Sequence, residues 1–171
     1  MEITIRKGTL EDTESLIALL QEVWQGMENK EWLYLDKPEE VRDMMSDGTM
    51  QLWVAMDGDR IAASFDILIP GLQNFNYGYD LGFDEATLLQ VANMDTIAVH
   101  PKYRGMGLQQ QLMTEAENWA FANGYPILLC TVHPENHYSL QNMLKLGYQI
   151  QKELPKYGST RYVLRKNRSE K

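Results

Sequence analysis

Asp95-Thr96-Ile97-Ala98-Val99-His100-Pro101-Lys102-Tyr103-Arg104-Gly105-Met106-Gly107-Leu108 is the stretch from which the rest of the chain is read. Val91 to Val99 has the texture of a central strand and runs straight into His100-Pro101, where proline removes a backbone donor. Beyond Gly105 and Gly107, Leu108, Leu112, Ala116, Trp119 and Ala120 recur on one face of a helix that ends near Asn123-Gly124. A strand therefore feeds a glycine-containing turn, and the turn opens a helix. The first amides of a helix lack partners within it, and the helix dipole adds partial positive charge there. Gly105 and Gly107 let the backbone approach an anion closely, and Arg104 adds a full charge. The result is a cradle suited to a pyrophosphate. It is not a mononucleotide P-loop, because the Gly-Lys-Ser/Thr ending is absent, and it lacks the three-glycine dinucleotide fingerprint. A lone Gly-x-Gly also serves as a tight turn without a ligand, so spacing alone leaves both readings open.

Working outward, helices and strands alternate in both directions. Ile3 to Arg6 reads as a first strand, and Thr9 with Asp12 as a capping box. Leu16, Leu19, Leu20, Val23 and Trp24 predict a helix over 12–25, with Trp24 in the core. Pro38-Glu39-Glu40 opens a second helix. Gln51–Met56 and Arg60–Ile69 form a hairpin about Asp57-Gly58. From Pro70 to Asp84 the texture turns to Gly, Asn, Tyr and Phe, and a loop this long in a compact domain is often functional. Its aromatics Phe75, Tyr77 and Tyr79 suit a substrate mouth and a core plug equally well. Asp84 and Glu85 begin a short helical stretch through Leu88 and Leu89. After the central helix come a strand at 127–132, a short helix from Tyr138 to Leu146, and strands at 148–153 and 160–165 around Pro155 and Gly158.

Composition narrows the function classes. The 171 residues predict one domain, on a prior of about 100–200 residues each. A formal net charge of −8 disfavours nucleic acid and anionic membranes as partners and suits a cationic amine better. Acidic residues crowd the stretch from Glu11 to Asp47, whereas Arg161, Arg165, Lys166, Arg168 and Lys171 read as a basic, solvated end. Cys130 is the only cysteine; its apolar flanks make it a buried strand residue rather than a nucleophile. No apolar run approaches the length of a membrane span and no signal segment is evident, so a cytoplasmic location is expected.

The 95–108 segment resembles the acetyl-coenzyme A-binding motif of the GCN5-related N-acetyltransferase (GNAT) superfamily, Arg/Gln-x-x-Gly-x-Gly/Ala after a strand ending in Val-x-Pro. Its first two characteristic positions fall on Arg104 and Gly107, and the third on Gln109, where the motif has a small residue. A second stretch, His133 to Ser139 followed by Leu146-Gly147-Tyr148, resembles the family's later segment of an Asn, a short helix and Leu-Gly-Phe/Tyr. The resemblance implies an α/β fold over residues 1–171, with a mixed central sheet of about seven strands and helices on both faces. It also implies acetyl-CoA as cosubstrate, with strands 91–99 and 127–132 splayed about it. Contacts would come from Ile97, Ala98, Val99, Arg104, Gly105, Met106, Gly107, Leu108, Gln109 and Asn136. A small amine or amino-acid-like acceptor would attack the thioester directly. Transfer to a protein or peptide amine and a non-catalytic acyl-CoA-binding module are the alternatives, and a homodimer is left open.

Direct attack needs a neutral amine, a polarised carbonyl and a protonated leaving thiolate. Members of the family often supply that last proton from a Tyr in the short helix, and alignment places this position at Met143, which has none to give. Tyr138, in the same element, or water is the expected donor. Asp95 shares strand parity with Ile97 and Val99 and is the candidate base, with an ordinary cap role as the alternative. His100 has suitable intrinsic basicity, although its turn position equally fits a structural role. His133 and His137 are separated by Pro134 and lack cysteine neighbours, so no metal site is expected.

Overall fold

The computed structural model describes residues 2–169; Lys171, counted with the basic end, lies outside them. Seven strands form one sheet in the order β1-β2-β3-β4-β5-β7-β6. They are β1 (Ile3–Lys7), β2 (Met50–Asp57), β3 (Arg60–Leu68), β4 (Val91–Val99), β5 (Ile127–Val132), β6 (Gln149–Lys156) and β7 (Ser159–Asn167). The helices are α1 (Thr13–Gln25), α2 (Pro38–Asp47), α3 (Glu85–Leu88), α4 (Leu108–Ala122) and α5 (His137–Lys145). The described residues group into two compact units: one runs up to Ile69 and includes Asp95–Trp119, and the other holds Pro70–Met94 and the chain from Ala120.

In the first unit, β2 pairs antiparallel with β1 and β3. Register sets Trp53 opposite Phe65, Val54 opposite Ser64 and Leu52 opposite Asp66. Because strand side chains alternate, Ser64 and Asp66 lie on one face and Trp53 on the other, where it meets Trp119 of α4 edge-on at 5.8 Å. α1 packs on β3 and α2, and α2 packs on β2. Asp12 holds the entry to α1, accepting the Thr9 amide at 2.8 Å and both terminal nitrogens of Arg6. Pro38 takes the first position of α2, where its missing donor costs nothing. Trp24 is half-buried rather than in the core, since it lies at the border of the face carrying Leu16, Leu20 and Val23.

In the second unit, β4 and β5 pair in parallel from Val91↔Ile127 to Asn93↔Leu129. β7 pairs antiparallel with β5 and β6. The 70–84 segment is tightly hydrogen-bonded. Asn76 donates to the carbonyls of Gly71 and Leu88 and accepts from Gly78, while buried Asn93 donates to Phe75 and accepts from Tyr77. A Cβ on Gly78 would meet Phe83 and Leu88 at 2.7 and 2.8 Å, so only glycine fits there without displacement. The three aromatics part company: Tyr77 is 4% exposed in a cluster with Val91, Ile127 and Leu129, Phe75 is half-buried, and Tyr79 lies outside. Two readings need correction here. Pro155 falls inside β6, tolerated because an edge strand can spare a donor. Arg161 is buried in β7 against the Tyr157 ring instead of forming part of a solvated end.

Candidate active site

The second half of β4 is open on one side. Asp95, Ile97 and Val99 are partly exposed, while Thr96 and Ala98 between them are buried. The chain is then pinned as it turns. His100 donates its amide to Ala62 on β3 at 2.9 Å, and Tyr103 donates its own to the His100 carbonyl at 2.9 Å. The Tyr103 ring is buried, and its hydroxyl donates to the Asp57 carboxylate at the end of β2. That bond holds the phenol's proton more firmly than usual. Arg104 emerges exposed in extended backbone.

Gly105 and Gly107 both take the left-handed conformation, with φ of 81° and 73°. Little lies within reach of a Cβ at either site, so glycine is required there by backbone torsion and not by crowding. Gln111 is the first amide of α4 to find a partner, the Gly107 carbonyl at 3.3 Å. The helix start thus presents its leading amides beside Arg104, with Met106 exposed and Leu108 buried as an anchor. Gln109 is half-buried, and its amide lies 4.0 Å from Met113 Sδ, back along the same helix.

His100 is engaged at both ring nitrogens. Nδ1 accepts the Lys102 amide at 3.2 Å, and Nε2 faces Glu22 Oε1 at 3.2 Å and Arg60 at 2.7 Å. The ring therefore serves to fix the turn. In the second unit, Asn136 caps α5 by accepting the Ser139 amide at 3.3 Å. Tyr138, on the first turn of α5, is 76% exposed, whereas Met143 is buried. His133 Nδ1 accepts from the Glu135 amide, so its proton sits on Nε2, directed at Ser159 Oγ 3.0 Å away. That tautomer cannot activate the serine. Among the described residues, no group of three or more His, Cys, Asp or Glu is placed to hold a metal ion.

Two acidic residues that sequence reading passed over gather with Asp95. Asp66 on β3 feels the charge of the Asp95 carboxyl, and Thr96 Oγ1 donates to Asp95 at 3.2 Å. Burial first, then the negative charges of Asp95 and Asp36, raises the Asp66 carboxyl well above the usual range. Asp36, just before α2, is pushed up to about 7 by burial and by Asp95 and Glu40. Nothing in the local pattern marks Asp66, because an acid amid Ile61-Ala62-Ala63-Ser64-Phe65 reads as one more outward strand position. The clearest available hint was its situation, a carboxylate inside an otherwise apolar strand.

The acetyltransferase (GNAT) family model matches residues 13–148. The chain belongs to that family and is an acyltransferase. No curated protein matches it by sequence. Its fold is similar to that of NAA60 from Arabidopsis thaliana in complex with acetyl-CoA, with a TM-score of 0.76 and 14% identity over 97% of this chain and 98% of that one. It is also similar to yncA of Salmonella typhimurium, a putative acetyltransferase with its cofactor acetyl-CoA (TM-score 0.75, 13% identity, 100% and 96% covered). A GNAT-family acetyltransferase from Streptococcus pneumoniae is similar as well (TM-score 0.74, 19% identity, 97% and 99% covered). The seven-stranded mixed sheet flanked by helices is the one these structures share with it.

Proposed function

We propose that the chain, acting as one N-acetyltransferase domain in the cytoplasm, transfers the acetyl group of acetyl-CoA to a small amine by direct attack. The observation that carries this reading is the turn from Arg104 to Gln109, where two left-handed glycines and one arginine lead into the free amides of α4. These groups suit a pyrophosphate, and the open edge at Ile97 and Val99 suits an amide-bearing arm. Acetyl-CoA, when bound, supplies an activated acyl carbon and a thiolate leaving group.

The protein's part is to hold and to move protons. Asp95 accepts a proton from the acceptor's ammonium, leaving a nitrogen lone pair free to attack. A base tuned towards neutral pH is efficient at this, and the carboxyl cluster around Asp95 is tuned in that direction. The leaving sulfur takes a proton from Tyr138 or from water. Asn136 lines the coenzyme's arm in this reading, and His100 keeps the turn in shape instead of acting as base. Buried Met143 favours no donor of its own and leaves the non-catalytic alternative to experiment.

Calorimetric titration with acetyl-CoA, using free coenzyme A and ATP as comparators, tests the cradle. Saturable one-to-one binding that ATP does not reproduce supports it, and thiol release with an amine panel then tests transfer. Coenzyme binding without thiol release for any amine would leave a binding module in place of an enzyme.

A further inference from the structure

Behind the open edge of β4, β3 carries two buried polar side chains on one face. Ser64 and Asp66 are wholly buried, and neither Ser64 Oγ nor Asp66 Oδ1 has a hydrogen-bond partner among the described residues. Folded proteins rarely retain such atoms unless a ligand, water or reaction uses them. Asp36 and Asp95, both half-buried, converge on Asp66, and Glu40 of α2 adds its charge from the side. Every charge acting on Asp36 or Asp66 in this cluster is negative. A site with this sign calls for a cation.

We propose that Asp36, Asp66 and Asp95 form an ammonium-binding site, and that the acetyl acceptor is an aliphatic diamine held by one nitrogen while the other is acetylated. The identification of the acceptor rests on the transfer reading above; the ammonium site does not. Burial holds Asp66 towards its protonated form, which leaves Asp36 and Asp95 to carry the negative charge of the three carboxyl groups. The reacting nitrogen must give a proton to this cluster before it can attack, and one negative charge then remains. A monoamine leaves that charge unmatched, whereas a second ammonium matches it. An α- or ω-carboxylate on the acceptor is repelled. In the transfer, the neutral nitrogen forms a bond to the acetyl carbon and the carbon–sulfur bond breaks. Sulfur leaves with the electron pair and takes a proton, the new amide sheds one, and one proton is released to solvent overall. The product keeps its distal ammonium.

Three probes share one reacting amine and differ only in the charge at the far end: 1,4-diaminobutane, n-butylamine and 4-aminobutanoate. Calorimetric titration of the full chain at pH 8, without coenzyme, is expected to rank them in that order. 1,4-Diaminobutane should bind about tenfold tighter than n-butylamine, as expected for a charge-assisted hydrogen bond. Asp36→Asn, on the loop before α2, should bring the two within about threefold of each other. Asp66→Asn should do the same, with circular dichroism checking that it folds; Asp36→Asn carries the test if it does not. Equal binding of the three probes, no binding of any, or a diamine preference that survives Asp36→Asn would overturn the site. The two readings fail separately. Absent acetyl-CoA binding sinks the transfer reading and leaves a measured diamine preference standing, whereas equal turnover of all three amines sinks the diamine assignment and leaves transfer intact.

Discussion

Burial, and then the negative charge of neighbouring Asp95 on β4, raise the carboxyl of Asp66 on β3 well above the usual range. Asp36 raises Asp66 in the same sense, and Asp95 raises Asp36 in turn. These interactions raise the carboxyls of Asp66 and Asp36 in a chain where the side chains of His100 and His133 are engaged in turns.

The first expectation concerns the pH–rate profile. The base must be ionised, so kcat/KM should fall on the acid side of the profile. Asp95→Asn should lower kcat by about 10²–10⁴-fold, the usual contribution of a general base, and abolish the acid limb. An Asp95→Asn enzyme that keeps both rate and limb would remove Asp95 from the chemistry.

Stability should respond to pH with the opposite sign to that of an ordinary salt-bridged acid. Asp36 moves from 3.8 to about 7 on folding, so the folded state binds its proton more tightly. The stabilisation is fully present below about pH 4 and is lost as pH rises through about 7; Asp66 acts in the same direction. Asp12, lowered by its bond with Arg6, contributes in full once pH is well above its ordinary 3.8, and so contributes equally at pH 5.5 and pH 8. Scanning calorimetry should show Tm roughly 3–6 °C higher at pH 5.5 than at pH 8, and Asp36→Asn should narrow the gap. A flat wild-type profile would mean that the cluster is better solvated than its burial indicates.

Anion binding at the turn should depend on charge and on torsion separately. Arg104→Ala should weaken acetyl-CoA binding by about tenfold and reduce its salt dependence, with Tm unchanged because Arg104 is exposed. Gly107→Ala meets almost no neighbour, yet φ of 73° strains it by about 1 kcal/mol, so affinity and Tm should fall together. Paired titrations and melts of the two variants distinguish these effects.

Gln109→Ala tests the departure from the family motif. The wild-type side chain is folded back towards Met113, away from the amides at the helix start, so acetyl-CoA affinity should stay within about threefold of wild type. A large gain in affinity would show that Gln109 crowds the coenzyme.

Tyr103→Phe removes the hydroxyl that ties the turn to Asp57 on β2. The loss should cost about 1–2 kcal/mol, read from denaturant unfolding, and should speed amide exchange in residues 101–107 more than in α1. Uniform exchange across the unit would show that Tyr103 supports the core alone.

Strand β4, the turn after it and the apolar face of α4 were legible because alternation, a proline and two glycines act over a few residues each. The same holds for α1, α2 and the β2–β3 hairpin, whose caps and turn residues are local. Pro155 misled because its permission to sit in a strand comes from β6 being at a sheet edge, which depends on strand order. Arg161 misled because register, rather than nearby charge, turned it inward. The acidic cluster lay furthest from view. Asp36, Asp66 and Asp95 are spread across the chain, and each alone is an ordinary carboxylate; only the pairing of β2 with β3, the placing of β4 beside β3 and the path into α2 bring them together. The sequence by itself carried the family, through the motifs at 95–108 and 133–148, and the glycine turn into α4, which rests on short-range torsion and periodicity. Tertiary structure alone decided which acids lose water and feel one another, because desolvation and Coulomb interaction depend on distance through space and not along the chain.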